Sequence, residues 1–330
     1  MLVNIKKDTT LTVRNEFIKL MESKNQYCRI IDNYKILISG ENIKNHINEI
    51  EASEIVDSTK LIQSKYKLAS KIAQRDNNIV HVGGLEIGGD DLAIIAGPCA
   101  VESRQQLFDI AGELHEMGIK YLRGGIYKPR SSPYSFQGLK EKGLEIFADV
   151  KKEFGMKIVT EVVNPDKLQL VSEVADIIQI GSRNMQNYQL LEECGKISTP
   201  ILLKRGMSAT IEDFLLSAEY VMSSGNRNVI LCERGIRTFD NFTRNTLDLN
   251  AVPAILQESH LPIIVDPSHG TGIRSFVEPM GLAGIACGAH GLIVEVHNKP
   301  EKAFSDGMQS LTPKQFKEFY KKIQAVKDAI

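Results

Sequence analysis

Residues 157–180 read KIVTEVVNPDKLQLVSEVADIIQI. Two apolar, β-rich runs, 157–163 and 176–180, stand on either side of a helical segment. A strand, a helix and a strand in that order imply parallel pairing, because only a long crossover returns the chain in the same direction. Working outward, six more runs of the same kind recur at 92–96, 121–122, 200–203, 228–231, 262–265 and 292–294. Helical segments separate them. In 210–223, Ile211, Phe214, Leu215, Ala218 and Met222 form an apolar stripe. Eight strand–helix units match a (β/α)8 barrel of the α/β class. A doubly wound sheet is the rival, but no strand is followed by GxGxxG or GxxxxGK[ST], so no nucleotide fingerprint supports it.

In such a barrel the C-terminal strand ends converge on one face. Nearly every run here ends in a reactive or charged residue: Cys99, Arg123 with Lys128, Glu161, Arg183, Lys204, Glu233-Arg234, Asp266 with His269, and Glu295 with His297. One charge on a loop is ordinary surface; a ring of them at equivalent points of a repeat is a signal. Arg123, Lys128, Arg130, Arg183, Lys204, Arg205 and Arg234 form a cationic subset. Such a crowd repels itself unless dianions sit within it, and Arg forks suit phosphate and carboxylate. More than one phosphorylated group is the economical reading. A Schiff base on Lys204 is the competing idea, weakened by the adjacent Arg205 and by the lack of an obvious proton relay.

A second subset resembles a metal site. Cys99, His269, Glu295 and Asp306 offer a thiolate, an imidazole and two carboxylates. A lone buried Cys is usually inert packing, but the four together make a site of intermediate softness. It suits Mn, Fe, Co, Cu or Zn better than Mg or Ca.

The whole chain has 330 residues, 42% hydrophobic and 25% charged, with a formal charge of −1. No global field favours nucleic acid or an anionic membrane. No run approaches the ~20 apolar residues of a membrane span, and the opening MLVNIKKDTT lacks the features of a signal peptide. Five cysteines, widely spaced and never in a CxxC pair, argue against a disulfide framework and for a reducing cytoplasm.

Residues 1–75 read as a separate module. Strands at 2–5, 28–31, 35–38 and 55–58 alternate with two helices in the ferredoxin-like split βαβ plan. The first helix is expected to be capped by Asp8 or Thr9, with Leu11, Val13, Phe17, Leu20 and Met21 mostly on one face. The second is marked by Ile43, Ile47 and Ile50. The polar stretch 60–78 looks like a linker. A small hairpin around Gly83-Gly84 then opens the catalytic part, 76–330.

Several motifs, taken together and in this order, are familiar: Ile95-Ala96-Gly97-Pro98-Cys99, Leu122-Arg123-Gly124-Gly125, Lys128-Pro129-Arg130-Ser131-Ser132, Ile180-Gly181-Ser182-Arg183-Asn184, Leu203-Lys204-Arg205-Gly206, Cys232-Glu233-Arg234-Gly235 and Asp266-Pro267-Ser268-His269. They resemble the 3-deoxy-D-arabino-heptulosonate 7-phosphate (DAHP) synthases, more closely the type I beta subclass carrying a ferredoxin-like regulatory domain. Ser131 stands where that subclass commonly has Thr, which keeps the hydroxyl.

The resemblance implies condensation of phosphoenolpyruvate with erythrose 4-phosphate, the first step of the shikimate pathway. It places a divalent metal on Cys99, His269, Glu295 and Asp306. Phosphoenolpyruvate would lie on Arg123, Lys128, Arg183, Lys204 and Arg234, and erythrose 4-phosphate on Lys128, Pro129, Arg130, Ser131 and Asp266. Glu161, Lys204 and His269 are the candidates for handling protons. The resemblance further implies an aromatic amino acid effector, tyrosine or phenylalanine, at the N-terminal domain, and a homotetramer. The rival is 3-deoxy-D-manno-octulosonate 8-phosphate synthase, which typically has Lys-Ala-Asn-Arg-Ser-Ser where this chain has the tighter Lys128-Pro129-Arg130-Ser131-Ser132. A catalytically dead barrel acting as a sensor is the reading from another class; the presence of all four metal ligands and the cationic ring opposes it.

Overall fold

The computed structural model describes residues 1–128, 132 and 134–330. Pro129, Arg130 and Ser131, expected to receive the sugar phosphate, lie outside the described residues. The chain divides into two compact units, Met1–Arg75 and Asp76–Ile330.

In the first unit, β1 (Leu2–Ile5), β2 (Tyr27–Asp32), β3 (Lys35–Ser39) and β4 (Val56–Lys60) form an antiparallel sheet in the order β2-β3-β1-β4. The helix Leu11–Ser23 connects β1 to β2. Its cap is Thr10, not Asp8 or Thr9. Thr10 is extended, directly precedes the first turn, and its Oγ1 accepts from the Val13 amide at 3.4 Å. The expected apolar face is narrower than its composition suggests. Phe17 and Met21, four residues apart, are buried, whereas Leu11, Val13 and Leu20 are exposed. The second helix is split into a 3-10 turn, Ile43–His46, and the short helix Ile47–Glu51. The stretch read as a polar linker also differs from expectation: Ile62, Tyr66, Leu68, Ala69 and Ala73 are all buried.

The second unit opens with a hairpin of β5 (Val80–Val82) and β6 (Leu85–Ile87), turned at Gly83 and Gly84, both at positive φ. Eight strands then close a parallel barrel: β7 (Ala93–Gly97), β8 (Tyr121–Arg123), β9 (Lys157–Glu161), β10 (Ile177–Ile180), β11 (Ile201–Lys204), β12 (Val229–Glu233), β13 (Ile263–Val265) and β14 (Gly291–Glu295). Each coincides with one of the eight apolar runs. Strands covered on both faces by helices and barrel interior need no polar face, so they read as continuous apolar sequence.

The interior is filled by Ala93, Ile95, Tyr121, Val159, Ile177, Leu202, Ile230, Ile264 and Ile293, and Val80, Val82 and Ile87 of the hairpin belong to the same cluster. The hairpin thus plugs the end of the barrel where the strands begin, leaving their far ends for chemistry. The ring closes where β14 meets β7, in register from Gly291↔Ala93 to Glu295↔Gly97. No described helix is long and apolar enough to cross a membrane.

Candidate active site

The C-terminal end of β7 is bent by Gly97, whose φ is +149°. A Cβ there would lie 2.1 Å from the Arg123 carbonyl oxygen, so only glycine lets β7 and β8 approach this closely. The turn that follows places Cys99 beside Glu295, the last residue of the neighbouring strand β14. His269 lies in the short helix Pro267–Thr271, capped by Asp266, whose Oδ1 accepts from the His269 amide at 2.9 Å. Asp306 comes from the loop after β14 and sits in the left-handed region at φ +49°, a conformation Asp tolerates better than most residues.

These four side chains converge. His269 Nε2 is 3.3 Å from Glu295 Oε1 and 3.7 Å from Asp306 Oδ2. Cys99 Sγ is 3.2 Å from Asp306 Oδ2. One donor atom from each residue lies within 4.8 Å of the other three. Ligands about 2.0–2.3 Å from a common centre are separated by up to roughly 4.6 Å, so the set fits a single ion after a small inward settling. Softness agrees with geometry: one sulfur, one imidazole nitrogen and two carboxylates suit a first-row transition metal or zinc.

The surroundings orient these donors. His269 Nδ1 is 2.7 Å from Asp266 Oδ2, which also accepts from Lys204 Nζ at 2.5 Å. A carboxylate behind an imidazole fixes the tautomer and aims the other nitrogen forward. Arg123, itself buried, donates to Glu295 Oε1 and to the Pro98 carbonyl, each at 2.9 Å. Lys128 Nζ lies 3.0 Å from Cys99 Sγ.

Charge states follow from this packing. Burial, with Glu295 beside it, pushes the Cys99 thiol up to about 12. Burial also lowers His269, leaving the imidazole neutral. His269 and Lys204 outweigh burial at Asp266 and hold it well below the usual carboxylate range. His269 and Arg244 hold Asp306 down in the same way. Burial alone would depress Lys128, but Cys99, Glu161 and Glu295 more than compensate and raise it.

Beside the four-donor group opens a cavity of about 180 Å³, lined by Arg123, Lys128, Arg183, Lys204, Arg234, Arg237 and Arg244, with Glu161, His269 and Asp306 among the remaining walls. All five residues expected to hold phosphoenolpyruvate face this space, as do all three expected to handle protons. Burial holds Arg234 below its ordinary value; Asp266 opposes this and the neighbouring Arg244 adds to it.

Three placements differ from the sequence reading. Arg205 does not line the cavity; its Nη1 donates to Glu233 at 2.9 Å and to Asp248 at 2.8 Å. Glu233 and Arg205 are thus a structural pair, because neighbouring positions at a strand end point to opposite sides. Asp266 is not among the residues lining the cavity, and its oxygens face His269 and Lys204. His297 faces Glu102 at 3.4 Å, away from the lining.

Strand-end reasoning passed over Arg237 and Arg244, which come from the loop after β12; the recurrence of arginine at 234, 237 and 244 was the available signal. It also passed over Gln179, Met207 and Asn245, which have no such signal, while Ser182 lines the cavity from within the quoted motif around Arg183.

Comparison with known proteins agrees with this geometry. The family model described as "DAHP synthetase I family" matches residues 67–330. A phospho-2-dehydro-3-deoxyheptonate aldolase of Thermotoga maritima is 49% identical over all of this chain and 98% of its own length. A crystal structure of DAHP synthase from that organism superposes with a TM-score of 0.80, covering 99% of this chain and 97% of the other. A truncated form of the Thermotoga enzyme matches 80% of this chain and 97% of its own length, with a TM-score of 0.75. A 2-dehydro-3-deoxyphosphooctonate aldolase of Brucella ovis is 33% identical, matching 70% of this chain and 89% of its own length. The barrel, the four-donor group at the β7–β14 seam and a match running from residue 67 to the last residue agree, and the chain belongs to the DAHP synthetase I family.

Proposed function

We propose that the barrel condenses phosphoenolpyruvate with erythrose 4-phosphate and water, giving 3-deoxy-D-arabino-heptulosonate 7-phosphate and inorganic phosphate, the first step of the shikimate pathway. The observation that carries this reading is that one cavity is walled by seven cationic side chains and also by His269 and Asp306, two members of a four-donor group suited to a metal ion. Two phosphorylated substrates repel each other, and such a cavity overcomes that repulsion while bringing C3 of the enol to the aldehyde carbon. The full-length match at 49% identity favours the four-carbon sugar over the five-carbon one, whose enzymes match at 33%.

On this reading Arg183 and Arg234 grip the phosphate of phosphoenolpyruvate, and Arg123, Lys128 and Lys204 lie near its carboxylate. Lys128 with Pro129, Arg130 and Ser131 receives the sugar phosphate. Cys99, His269, Glu295 and Asp306 hold the divalent ion, which supplies a Lewis acid for the aldehyde oxygen. As the carbon–carbon bond forms, C2 becomes electron-poor; water adds there, and the resulting hemiketal phosphate loses phosphate. Proton handling is assigned to Glu161 and Lys204 ahead of His269. All three line the cavity, but the two nitrogens of His269 already face Asp266 and the carboxylates of the four-donor group, to which Glu161 and Lys204 do not belong.

The strand order and separate core of residues 1–75 support a ferredoxin-like regulatory module responsive to tyrosine or phenylalanine, in a homotetramer. Five unpaired cysteines suit the cytoplasm. Deleting residues 1–75 is expected to leave turnover but abolish sensitivity to aromatic amino acids; retained inhibition overturns the regulatory assignment.

The catalytic test is phosphate release from phosphoenolpyruvate with either erythrose 4-phosphate or arabinose 5-phosphate, in chelator and after adding Mn²⁺. Turnover with the four-carbon sugar that is lost in chelator supports the reading. Turnover with arabinose 5-phosphate moves the protein to the sister activity. Silence with both points to a sensor.

A further inference from the structure

Each carboxylate of the metal group shows one oxygen to the other donors and turns the second away. For Glu295 the inward atom is Oε1, near His269 Nε2; the outward Oε2 accepts from Gln309 Nε2 at 2.7 Å. For Asp306 the inward atom is Oδ2, near Cys99 and His269; the outward Oδ1 accepts from Arg244 Nη1 at 3.3 Å. The two outward partners are themselves joined, since Arg244 Nη1 also donates to Gln309 Oε1 at 3.2 Å.

The orientation of the Gln309 amide is fixed by chemistry. A carboxylate only accepts and a guanidinium only donates, so the amide nitrogen must face Glu295 and its oxygen must face Arg244. Gln309 is 3% exposed, and little else competes for it. Asp306 and Gln309 lie on one short loop, and Arg244 ties that loop to the one after β12. The Ser310 hydroxyl donates to the Asp306 carbonyl at 2.9 Å and holds the loop's own backbone.

We propose that Gln309 is a positioning residue which, through Arg244, forces Glu295 and Asp306 to offer a single oxygen each to the bound ion. Carboxylates free to swing can chelate through both oxygens, the habit of large hard cations such as Ca²⁺. Blocking the second oxygen of both narrows the site to ions content with few, short bonds, in keeping with its sulfur and nitrogen donors. The proposal rests on the four residues holding a divalent ion, and not on which sugar the barrel condenses.

The test uses Gln309→Met, which keeps the volume and removes both hydrogen bonds. Full-length apoprotein is titrated with Co²⁺ against a chelator, with Mn²⁺ and Ca²⁺ in parallel, and folding is checked by a melt without metal. The expected result is a ~10–100-fold loss of Co²⁺ affinity and a shift of the Mn²⁺/Ca²⁺ preference toward Ca²⁺. The thiolate-to-Co²⁺ charge-transfer band should persist while the d–d bands change. Arg244→Met should give a loss of similar size, and the double variant little more, because the amide is oriented by the guanidinium. A folded Gln309→Met with unchanged affinity and d–d bands overturns the proposal.

If Gln309→Met does not fold, X-ray absorption on the unmodified Co²⁺-loaded protein decides: two monodentate carboxylates support the proposal and a bidentate one overturns it. Unmodified protein that binds no Co²⁺ removes the metal reading itself, a failure distinct from that of Gln309.

Discussion

His269 and Asp266 are joined twice: the backbone amide of His269 donates to Oδ1 at 2.9 Å, and its ring Nδ1 stands 2.7 Å from Oδ2. One carboxylate therefore caps the helix that carries the imidazole and also fixes the imidazole's tautomer. Asp266→Asn keeps the shape but can present an amide N–H to the ring, reversing the tautomer preference. It also removes the charge beside Lys204. A ~10–100-fold loss of metal affinity is expected, read by chelator competition, together with a fall in kcat. Unchanged affinity would show that the imidazole is aimed by packing alone.

Metal binding should depend on pH with a definite sign. With its thiol pushed up to about 12, Cys99 is protonated in the metal-free protein at neutral pH, yet it binds as thiolate. His269, lowered by burial, is already neutral and releases nothing. The metal-free state thus holds one more proton, and affinity should rise about tenfold per pH unit. Measuring Zn²⁺ competition from pH 6.5 to 8.5 tests this. Cys99→Ser should weaken binding and flatten the slope; a wild-type slope near zero would mean the thiolate is already formed.

Arg123 and Glu295 form a buried pair, their side chains 4% and 1% exposed. Removing the guanidinium strands a carboxylate in the interior. Arg123→Ala should lower the stability of the metal-free protein by about 3–5 kcal/mol, measurable as a shift in urea midpoint at constant slope. A change below ~1 kcal/mol would indicate that Glu295 protonates or finds water at little cost.

Gly97→Ala places a methyl against the Arg123 carbonyl at a backbone angle alanine avoids. The strain alone is worth about 1–3 kcal/mol, and relieving the clash must part β7 from β8 and move Cys99. Both Tm and Co²⁺ affinity should fall. Loss of stability with normal Co²⁺ binding would uncouple the close strand approach from the metal site.

The barrel was legible because burial on both faces gives each parallel strand a continuous apolar signature. The ring of functional residues was legible because a repeat brings equivalent strand ends together. What sequence could not resolve was direction. Lys204 and Arg205 are adjacent and both cationic, yet Lys204 lines the cavity while Arg205 pairs with Glu233 and Asp248 behind it. Arg237 and Arg244 escaped because they reach the cavity from within a loop, where no periodicity marks them. Gln309 carries no charge and no motif; its place emerges only when the hydrogen bonds of Glu295 are traced. In the N-terminal unit, helical spacing set the pair Phe17 and Met21 inward but could not show that Leu11, Val13 and Leu20 stay exposed.

The meeting of β7 with β14 gives the metal group a further meaning. These are the first and last strands of the barrel, and Cys99 follows one while Glu295 ends the other. An ion bound to both would fasten the two ends of a rolled sheet, as a clasp fastens a bracelet. It would constrain the chain over nearly the whole barrel, as a disulfide spanning the same loop would, but with a bond a chelator can undo. Losing such an ion and loosening the seam would then be linked equilibria, and metal supply would set how firmly this barrel stays shut.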